Sequence, residues 1–224
     1  MKKGEIIAKL NAKRKFNDLY TFGPVKTSQS KIVAEWLCSD NNLAKFATGI
    51  DPITRKEPYA VDHNTKNRKS SSNRIEERIA IYMATNHINL GTFGTVVDYQ
   101  IPLKDSQKDK GVGKIDLISY NEKTNELFVL ELKKPESDES LLRCCLEAYT
   151  YSKIVNKDKL IKDYRSAGHI LCSIRTDAKV IPCPLIFKES KAAAEYQSNN
   201  SNLKRIIKEL GIKVAVISIA TINA

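Results

Sequence analysis

The amino-acid sequence predicts an α/β fold built on a mixed β-sheet, and three observations lead to that prediction. The hydrophobic fraction of 42% and the charged fraction of 28% are typical of a soluble globular domain. The 224 residues are enough for one well-cored domain with elaborations. From residue 73 onward, helical and strand-like segments follow in the order helix, three strands, helix, strand, helix, strand. This order predicts a sandwich of at most three layers.

Residues 1–72 are predicted to form an extension of helices and loops that precedes a core of residues 73–224. Within the extension, three apolar residues have the spacing of a short helix: Ile32, Val33 and Trp36. The polar run at 64–72 is typical of a loop.

The core begins with a predicted helix over 74–86, where Asn73 suits the N-cap and Glu76 stands three residues later, as in a capping box. The segment 95–101 is rich in β-branched and aromatic residues and predicts the first strand. Two further predicted strands, 114–120 and 126–133, are separated by a short polar turn, which favours an antiparallel hairpin.

The remaining elements follow the hairpin. A clear apolar face predicts a helix over 139–155. The segment 180–187 is predicted to be a strand at a sheet edge or over a bulge, because it contains Pro182 and Pro184. The chain is then predicted to continue with two helices and a buried apolar strand, at 190–197, 203–210 and 214–219.

The hairpin carries the residues with the clearest chemical potential. Asp116 lies inside an apolar run, where its charge is costly unless something compensates it. Strand alternation places Glu131 and Lys133 on one face, about 6–7 Å apart along the strand. A short hairpin can bring Asp116 beside Glu131. Two carboxylates at this place form an oxygen site suited to Mg²⁺, with Mn²⁺ as a substitute.

These residue types are sufficient for phosphodiester hydrolysis. A bound metal lowers the pKa of a water molecule and neutralises phosphate charge. A neighbouring lysine can orient or deprotonate that water, or stabilise the charge that develops on the phosphate. The alternative is a half-exposed strand with a surface salt bridge, because the Glu-x-Lys pattern is weak and recurs at Glu189 and Lys191, where a helix is predicted to begin.

The segments Gly113–Ile118 and Leu127–Lys133 resemble the PD-(D/E)xK nuclease superfamily, which includes type II restriction enzymes, Holliday-junction resolvases and RecB-like nucleases. The resemblance covers about half of the chain. It implies a restriction-endonuclease-like core of a helix, a three-strand mixed sheet, a helix and a strand, to which the C-terminal helix and strand are an extension. It also implies Asp116 and Glu131 as metal ligands and Lys133 as the catalytic lysine.

The resemblance also implies a glutamate on the helix that precedes the sheet. Glu76 lies along the apolar face and is chosen over Glu77 as a third catalytic carboxylate and metal ligand, with simple helix capping as its alternative. The chain departs from the superfamily in having Ile115 before Asp116. RecB-like members often carry Gln-x-x-x-Tyr on the next helix. Here Glu147 stands in the glutamine position four residues before Tyr151. We expect Tyr149 to pack in the core and Glu147 to lie at the surface or behind the site, with the alternative that Glu147 and Tyr151 line the site.

The charge balance favours a polyanionic partner. Lys and Arg number 37 against 26 Asp and Glu, a formal charge of +11. Such a surplus attracts nucleic acid first and anionic membranes second. Lys114, Lys134 and Lys110 are predicted to contact the phosphate backbone, with a solubilising loop as the alternative.

The chain shows neither a signal-peptide core nor an apolar run of about 18 residues, so we expect a cytoplasmic protein without a membrane partner. Five cysteines without a C-x-x-C pair indicate neither a disulfide framework nor a zinc knuckle, and Cys144 and Cys145 are expected to be buried.

The sequence thus predicts a metal-dependent nuclease that acts on DNA. Two rivals stay open. One is a nucleic-acid-binding module that keeps the fold without catalysis, and the other is a protein that is active only with a protein partner. The sequence does not distinguish a monomer from a homodimer.

Overall fold

A computed structural model describes residues 1–61, 63, 75–106, 109, 112–168 and 174–223, and in these residues five strands form one mixed sheet. The strands stand in chain order as β1 (Thr95–Pro102), β2 (Lys114–Asn121), β3 (Glu126–Leu132), β4 (Lys179–Phe187) and β5 (Ala215–Ile217). The first three are antiparallel, and β4 and β5 each join in parallel. The predicted α/β fold with a mixed sheet is confirmed.

The predicted three-strand sheet is wrong, because the two later strands belong to the same sheet. Both β4 and β5 carry mostly buried residues, and a strand that is covered on both faces must find its hydrogen-bond partners on a sheet edge. The helical stretches that precede each of them return the chain to that edge in the parallel sense.

Helices surround the sheet on both faces. Those of the described residues are α1 (Lys3–Ala12), α2 (Gly23–Lys26), α3 (Ser30–Cys38), α4 (Asn42–Thr48), α5 (Ile75–Thr85), α6 (Leu141–Ile154), α7 (Lys157–Ser166), α8 (Lys191–Gln197), α9 (Ser201–Glu209) and α10 (Ala220–Asn223). None of these helices has both the length and the apolar character needed to cross a bilayer. The predicted cap residue Asn73 lies outside the described residues.

The two faces of the sheet have separate hydrophobic cores. α5 packs against β1 and β2 on one face, and α6 packs against β3 and β4 on the other. Along β3, Phe128 and Leu130 belong to the first core, whereas Leu127 and Val129 belong to the second. The alternation on which the sequence prediction depended is therefore present.

The β2–β3 hairpin is confirmed, and its register positions the candidate site. Leu117 lies opposite Leu130 in antiparallel pairing. Leu117 and Leu130 are the last pair of this ladder, and Asp116 and Glu131 are the next residue of each strand beyond it.

In the residues that the structure describes, β4 has a strand on both sides over only part of its length, and its prolines lie in the other part. β5 pairs with Leu185–Phe187 alone, so the part of β4 that contains Pro182 and Pro184 has β3 on one side and no strand on the other among the described residues. The expected edge position is therefore correct for this half, although β4 stands between β3 and β5 in the sheet order.

The N-terminal segment packs against the core helix α6. The 3₁₀ turn Leu19–Thr21, α2 and α3 all contact α6. Apolar side chains of this segment, including Leu19 and Phe46, share one hydrophobic cluster with α6. The predicted division at residue 72 lies outside the described residues and stays a prediction.

Gly94 provides a stability test of the turn that leads into β1. Its φ is +75°, and a Cβ there would lie 2.2 Å from the carbonyl oxygen of Tyr120. Gly91 has a φ of +65°, but a Cβ at that position would have no atom within 4 Å, so it is a matched control. We expect Gly91→Ala to cost about 1–2 kcal/mol from its left-handed backbone. Gly94→Ala should cost roughly a further 1–3 kcal/mol from the clash. Urea unfolding measures the loss of stability in both variants. Equal losses would mean that Gly94 does not lie as close to the Tyr120 carbonyl as the structure shows.

Candidate active site

A cavity of about 930 Å³ opens where β2 begins and β3 ends, and most of the predicted site residues line it. Asp116 and Glu131 line it from the sheet, and Glu76 does so from the first turn of α5. Lys114 and Lys134 add basic groups to its walls. The cavity therefore brings together predicted site residues that are distant in sequence, such as Glu76 and Lys134, which lie 58 positions apart.

Asp116 is held in place by two hydrogen bonds. The backbone N–H of Leu132 donates to its Oδ2 at 3.0 Å, and the side-chain amide of Gln100 donates to its Oδ1 at 3.3 Å. Gln100 adopts a left-handed backbone with a φ of +52°, which costs a non-glycine residue about 1–3 kcal/mol. Nothing in the local sequence of β1 indicates this conformation, and sequence reasoning missed Gln100.

Glu131 and Lys133 form a buried ion pair. Lys133 Nζ donates to Glu131 Oε1 at 2.6 Å, and each residue is only 4% exposed. The predicted projection of both side chains from one face of β3 is confirmed. The alternative of a surface salt bridge does not fit this burial.

The other Glu-x-Lys match occupies a different environment. Ser190 caps α8 by accepting a hydrogen bond from the N–H of Ala193, and Glu189 and Lys191 on either side of it are exposed. This match belongs to the surface start of a helix, as the sequence indicated.

Three further charged residues surround Lys133. Its Nζ lies 3.3 Å from Glu147 Oε2 and 3.2 Å from Glu139 Oε2. Arg143 pairs with both glutamates, at 2.9 Å to Glu139 and 3.6 Å to Glu147. Glu147 is 7% exposed, so it does not lie at the surface, and it lines the cavity together with Tyr151, which is the alternative that the sequence left open. A signal was present in the sequence, since Arg143, Glu147 and Tyr151 recur every four residues within the helix and Glu139 stands four residues before Arg143.

These groups leave an excess of negative charge. The acidic cluster consists of Asp116, Glu131, Glu139 and Glu147, and the two cations that contact it are Lys133 and Arg143. When all four carboxylates are ionised, the two cations leave two negative charges uncompensated within the cluster. A divalent cation has the charge needed to balance them.

Burial is the main cause of the raised pKa values of Asp116 and Glu131, and neighbouring carboxylates raise them further. Burial raises the pKa of Asp116 to about 7, against the opposing influence of Lys133 and the Leu132 N–H. Burial, together with the charges of Asp116 and Glu147, raises the pKa of Glu131 well above its ordinary value. Burial disfavours the charged amine of Lys133, but Glu131 and Glu147 outweigh it and raise the pKa of that lysine. Lys133 is therefore a cation at neutral pH.

The donor set fits Mg²⁺. Glu131 Oε2 is buried and has no hydrogen-bond partner among the described residues, and Glu131 itself lines the cavity. Each oxygen of Asp116 keeps a further lone pair beyond the hydrogen bond it accepts. Within the described part of the chain, no three His, Cys, Asp or Glu side chains are placed to hold one ion together. Two carboxylates completed by water and substrate oxygens are the ligand set that Mg²⁺ commonly takes.

The remaining predicted residues occupy distinct places. Glu76 lines the cavity, where its Oε1 accepts a hydrogen bond from the N–H of Lys134 at 3.1 Å, and its role as a third ligand stays a prediction. The Lys114 side chain is exposed and that of Lys134 is partly exposed, as phosphate contacts require. The predicted phosphate contact Lys110 lies outside the described residues. Cys144 and Cys145 are buried, as predicted.

No protein-family model, curated protein or solved structure matches this chain. The residues and geometry of the cavity are therefore what indicates a function for this chain.

Proposed function

We propose that this protein is a metal-dependent nuclease that hydrolyses DNA phosphodiester bonds. The observation that carries the proposal is the buried Oε2 of Glu131, which has no hydrogen-bond partner among the described residues, on a residue that lines the same cavity as Asp116. A buried carboxylate oxygen without a partner is costly. A cation bound between Glu131 and Asp116 removes that cost and gives the cavity a chemical role.

Each side chain has a part in this function. Asp116 and Glu131 would hold Mg²⁺, or Mn²⁺ in its place, and Gln100 and the Leu132 N–H fix the carboxylate of Asp116. The ion would neutralise phosphate charge and activate a water molecule for attack. Lys133 contributes as a cation that stabilises developing negative charge, rather than as a base, because its carboxylate neighbours keep it protonated.

The choice of a nucleic-acid substrate follows from the charge distribution. A site with uncompensated carboxylates repels a phosphodiester unless cations are present to attract it. The formal charge of +11 and the cavity-wall residues Lys104, Lys114 and Lys134 supply attraction beyond the bound ion. The resemblance to the PD-(D/E)xK superfamily at Asp116, Glu131 and Lys133 supports the same assignment.

A cleavage assay tests the proposal. Purified protein is incubated with plasmid and with single-stranded DNA in Mg²⁺, in Mn²⁺ and in EDTA. We expect cleavage with either metal and none in EDTA. A wild-type protein that cleaves neither DNA with either metal would contradict an enzyme that acts alone.

The same samples separate the rival functions. A non-catalytic binding module would bind DNA without cleaving it, and Asp116→Asn would keep or improve its DNA affinity, since removing a carboxylate reduces repulsion of the phosphates. A partner-dependent enzyme would be inactive when purified alone and active in a complex isolated from cells.

A further inference from the structure

The N-terminal segment reaches the candidate active site through a pair of tyrosines. Tyr20, in the turn Leu19–Thr21, packs edge-on against Tyr151 of α6 with ring centroids 5.6 Å apart. The two hydroxyl oxygens lie 3.1 Å apart, and both residues are 4% exposed. The contact joins positions 131 residues apart in the chain.

The number of available hydroxyl protons shows which of the two tyrosines donates the hydrogen bond between them. The hydroxyl of Tyr151 donates to Glu147 Oε1 at 3.3 Å. A tyrosine has a single O–H to donate, so the hydrogen between the two phenols must come from Tyr20. Burial raises the pKa of both phenols, which keeps both hydroxyls protonated. Tyr20 therefore donates to Tyr151, and Tyr151 donates to Glu147.

Glu147 links this chain of hydrogen bonds to Lys133. Its other oxygen, Oε2, accepts a hydrogen bond from Lys133 Nζ at 3.3 Å. An ammonium group has three N–H donors, and Lys133 has three carboxylates around it, on Glu131, Glu139 and Glu147. Among these three, Lys133 donates hydrogen bonds to Glu131 and Glu147, so fixing the carboxylate of Glu147 fixes one of the two hydrogen bonds that orient the ammonium.

Gly113 lies next to the Tyr151 hydroxyl. A Cβ at position 113 would lie 2.6 Å from that oxygen, so the absence of a side chain leaves the space that the phenol occupies. Gly113 directly precedes β2, the strand of Asp116. The Tyr151 hydroxyl thus lies in a defined position between the N-terminal segment and the hairpin.

We propose that Tyr20 is a positioning residue for Lys133, acting through Tyr151 and Glu147, and that the N-terminal segment thereby completes the active site. This inference rests on the proposed nuclease function. Tyr20 touches neither substrate nor metal in this role. Its hydroxyl orients the hydroxyl of Tyr151, which in turn holds the carboxylate of Glu147 beside Lys133.

The test is Tyr20→Phe, which removes one hydroxyl and keeps the ring packing. Tyr149→Phe is the matched control, because Tyr149 is a buried tyrosine of α6 whose hydroxyl has no hydrogen bond among the described residues. We expect Tyr20→Phe to lower kcat for DNA cleavage about 3- to 10-fold. KM for DNA and the Mn²⁺ affinity should stay unchanged, because the ligands of the ion are intact.

A second readout does not require cleavage. With ¹⁵N-lysine labelling, the side-chain ammonium resonance of Lys133, assigned with Lys133→Met, should shift in Tyr20→Phe and stay in place in Tyr149→Phe. If Tyr20 had only a structural role, Tyr20→Phe would lower thermal stability but would not lower kcat at an unchanged KM.

Two results would overturn the inference. One is an unchanged kcat, and the other is a Lys133 resonance that stays in place or shifts equally in Tyr149→Phe. A wild-type protein that cleaves no DNA would contradict the proposed nuclease, and the resonance of Lys133 would then decide by itself whether Tyr20 positions the lysine.

Discussion

Replacing Lys133 with methionine is expected to lower the free energy of unfolding by about 3–5 kcal/mol in EDTA, the usual cost of removing one partner from a buried ion pair. The loss should be this large because Lys133 contacts Glu131, Glu139 and Glu147. Without the lysine, Arg143 is the one cation among the described residues that still contacts this acidic cluster. Urea unfolding followed by circular dichroism measures the loss.

The same variant should lose at least about 100-fold in cleavage rate, because a fixed cation near the reacting phosphate is removed. Mn²⁺ binding should be largely retained, since Asp116 and Glu131 are intact. Lys134→Met is the control. Its side chain is partly exposed, so we expect its stability to change by no more than about 0.5 kcal/mol. A Lys133→Met protein as stable as the wild type would mean that the buried pairing is absent.

Replacing Asp116 with asparagine is expected to abolish cleavage and, without metal, to stabilise the protein. Cleavage should be lost because one of two carboxylate ligands is removed. The fold accommodates the amide, since its oxygen can accept from the Leu132 N–H and its NH₂ can face a rotated Gln100 amide. A substitution that removes activity and raises stability is typical of a residue retained for function.

The stabilisation of Asp116→Asn relative to the wild type should increase with pH, because the pKa of Asp116 is raised in the folded protein. The Asp116 carboxyl has a pKa of about 7 in the folded protein, above its ordinary value of 3.8. Between these values the folded state holds a proton that the unfolded state has released, so wild-type stability falls as pH rises through this range. The amide of the Asp116→Asn variant has no such proton.

Thermal unfolding in EDTA at several pH values measures this difference. The stability that Asp116→Asn gains over the wild type should be absent near pH 4 and complete above pH 7. Each kcal/mol of this gain should raise Tm by about 2–4 °C. Saturating Mg²⁺ should reduce the gain, since it stabilises only the wild type. A large destabilisation of the asparagine variant at pH 8 would instead support a structural salt bridge.

The parts of the site that the sequence predicted are those set by local geometry. Strand alternation places Glu131 and Lys133 on one face, and a short connection fixes the hairpin that brings in Asp116. Both depend on residues close together in the chain. The apolar run around Asp116 also indicated a charge that needs compensation.

The parts that sequence reasoning missed depend on contacts between distant segments. Tyr20 reaches Tyr151 only because the N-terminal helices pack on α6, and no local pattern specifies that packing. The strained backbone of Gln100 is likewise imposed by the tertiary structure.

Other misses had a local signal. α7 begins after the cap residue Asn156 and buries Leu160, Ile161 and Tyr164, a spacing typical of a helix. The four-residue recurrence from Glu139 to Tyr151 is a similar signal. The five-strand sheet was missed because the order of elements does not specify which strands pair, whereas the burial of β4 and β5 on both faces required partners.

Calorimetric titration of Mn²⁺ into wild-type protein, Glu131→Gln and Glu136→Gln shows whether the cavity binds a metal ion. Glu136 is an exposed acid five residues away in the chain and controls for surface binding. We expect one Mn²⁺ per wild-type chain, the same in Glu136→Gln, and a loss of binding in Glu131→Gln, because Glu131 carries the buried oxygen that the ion would bind. Absence of binding in the wild type, or equal binding in all three proteins, would contradict a metal-dependent active site at this cavity.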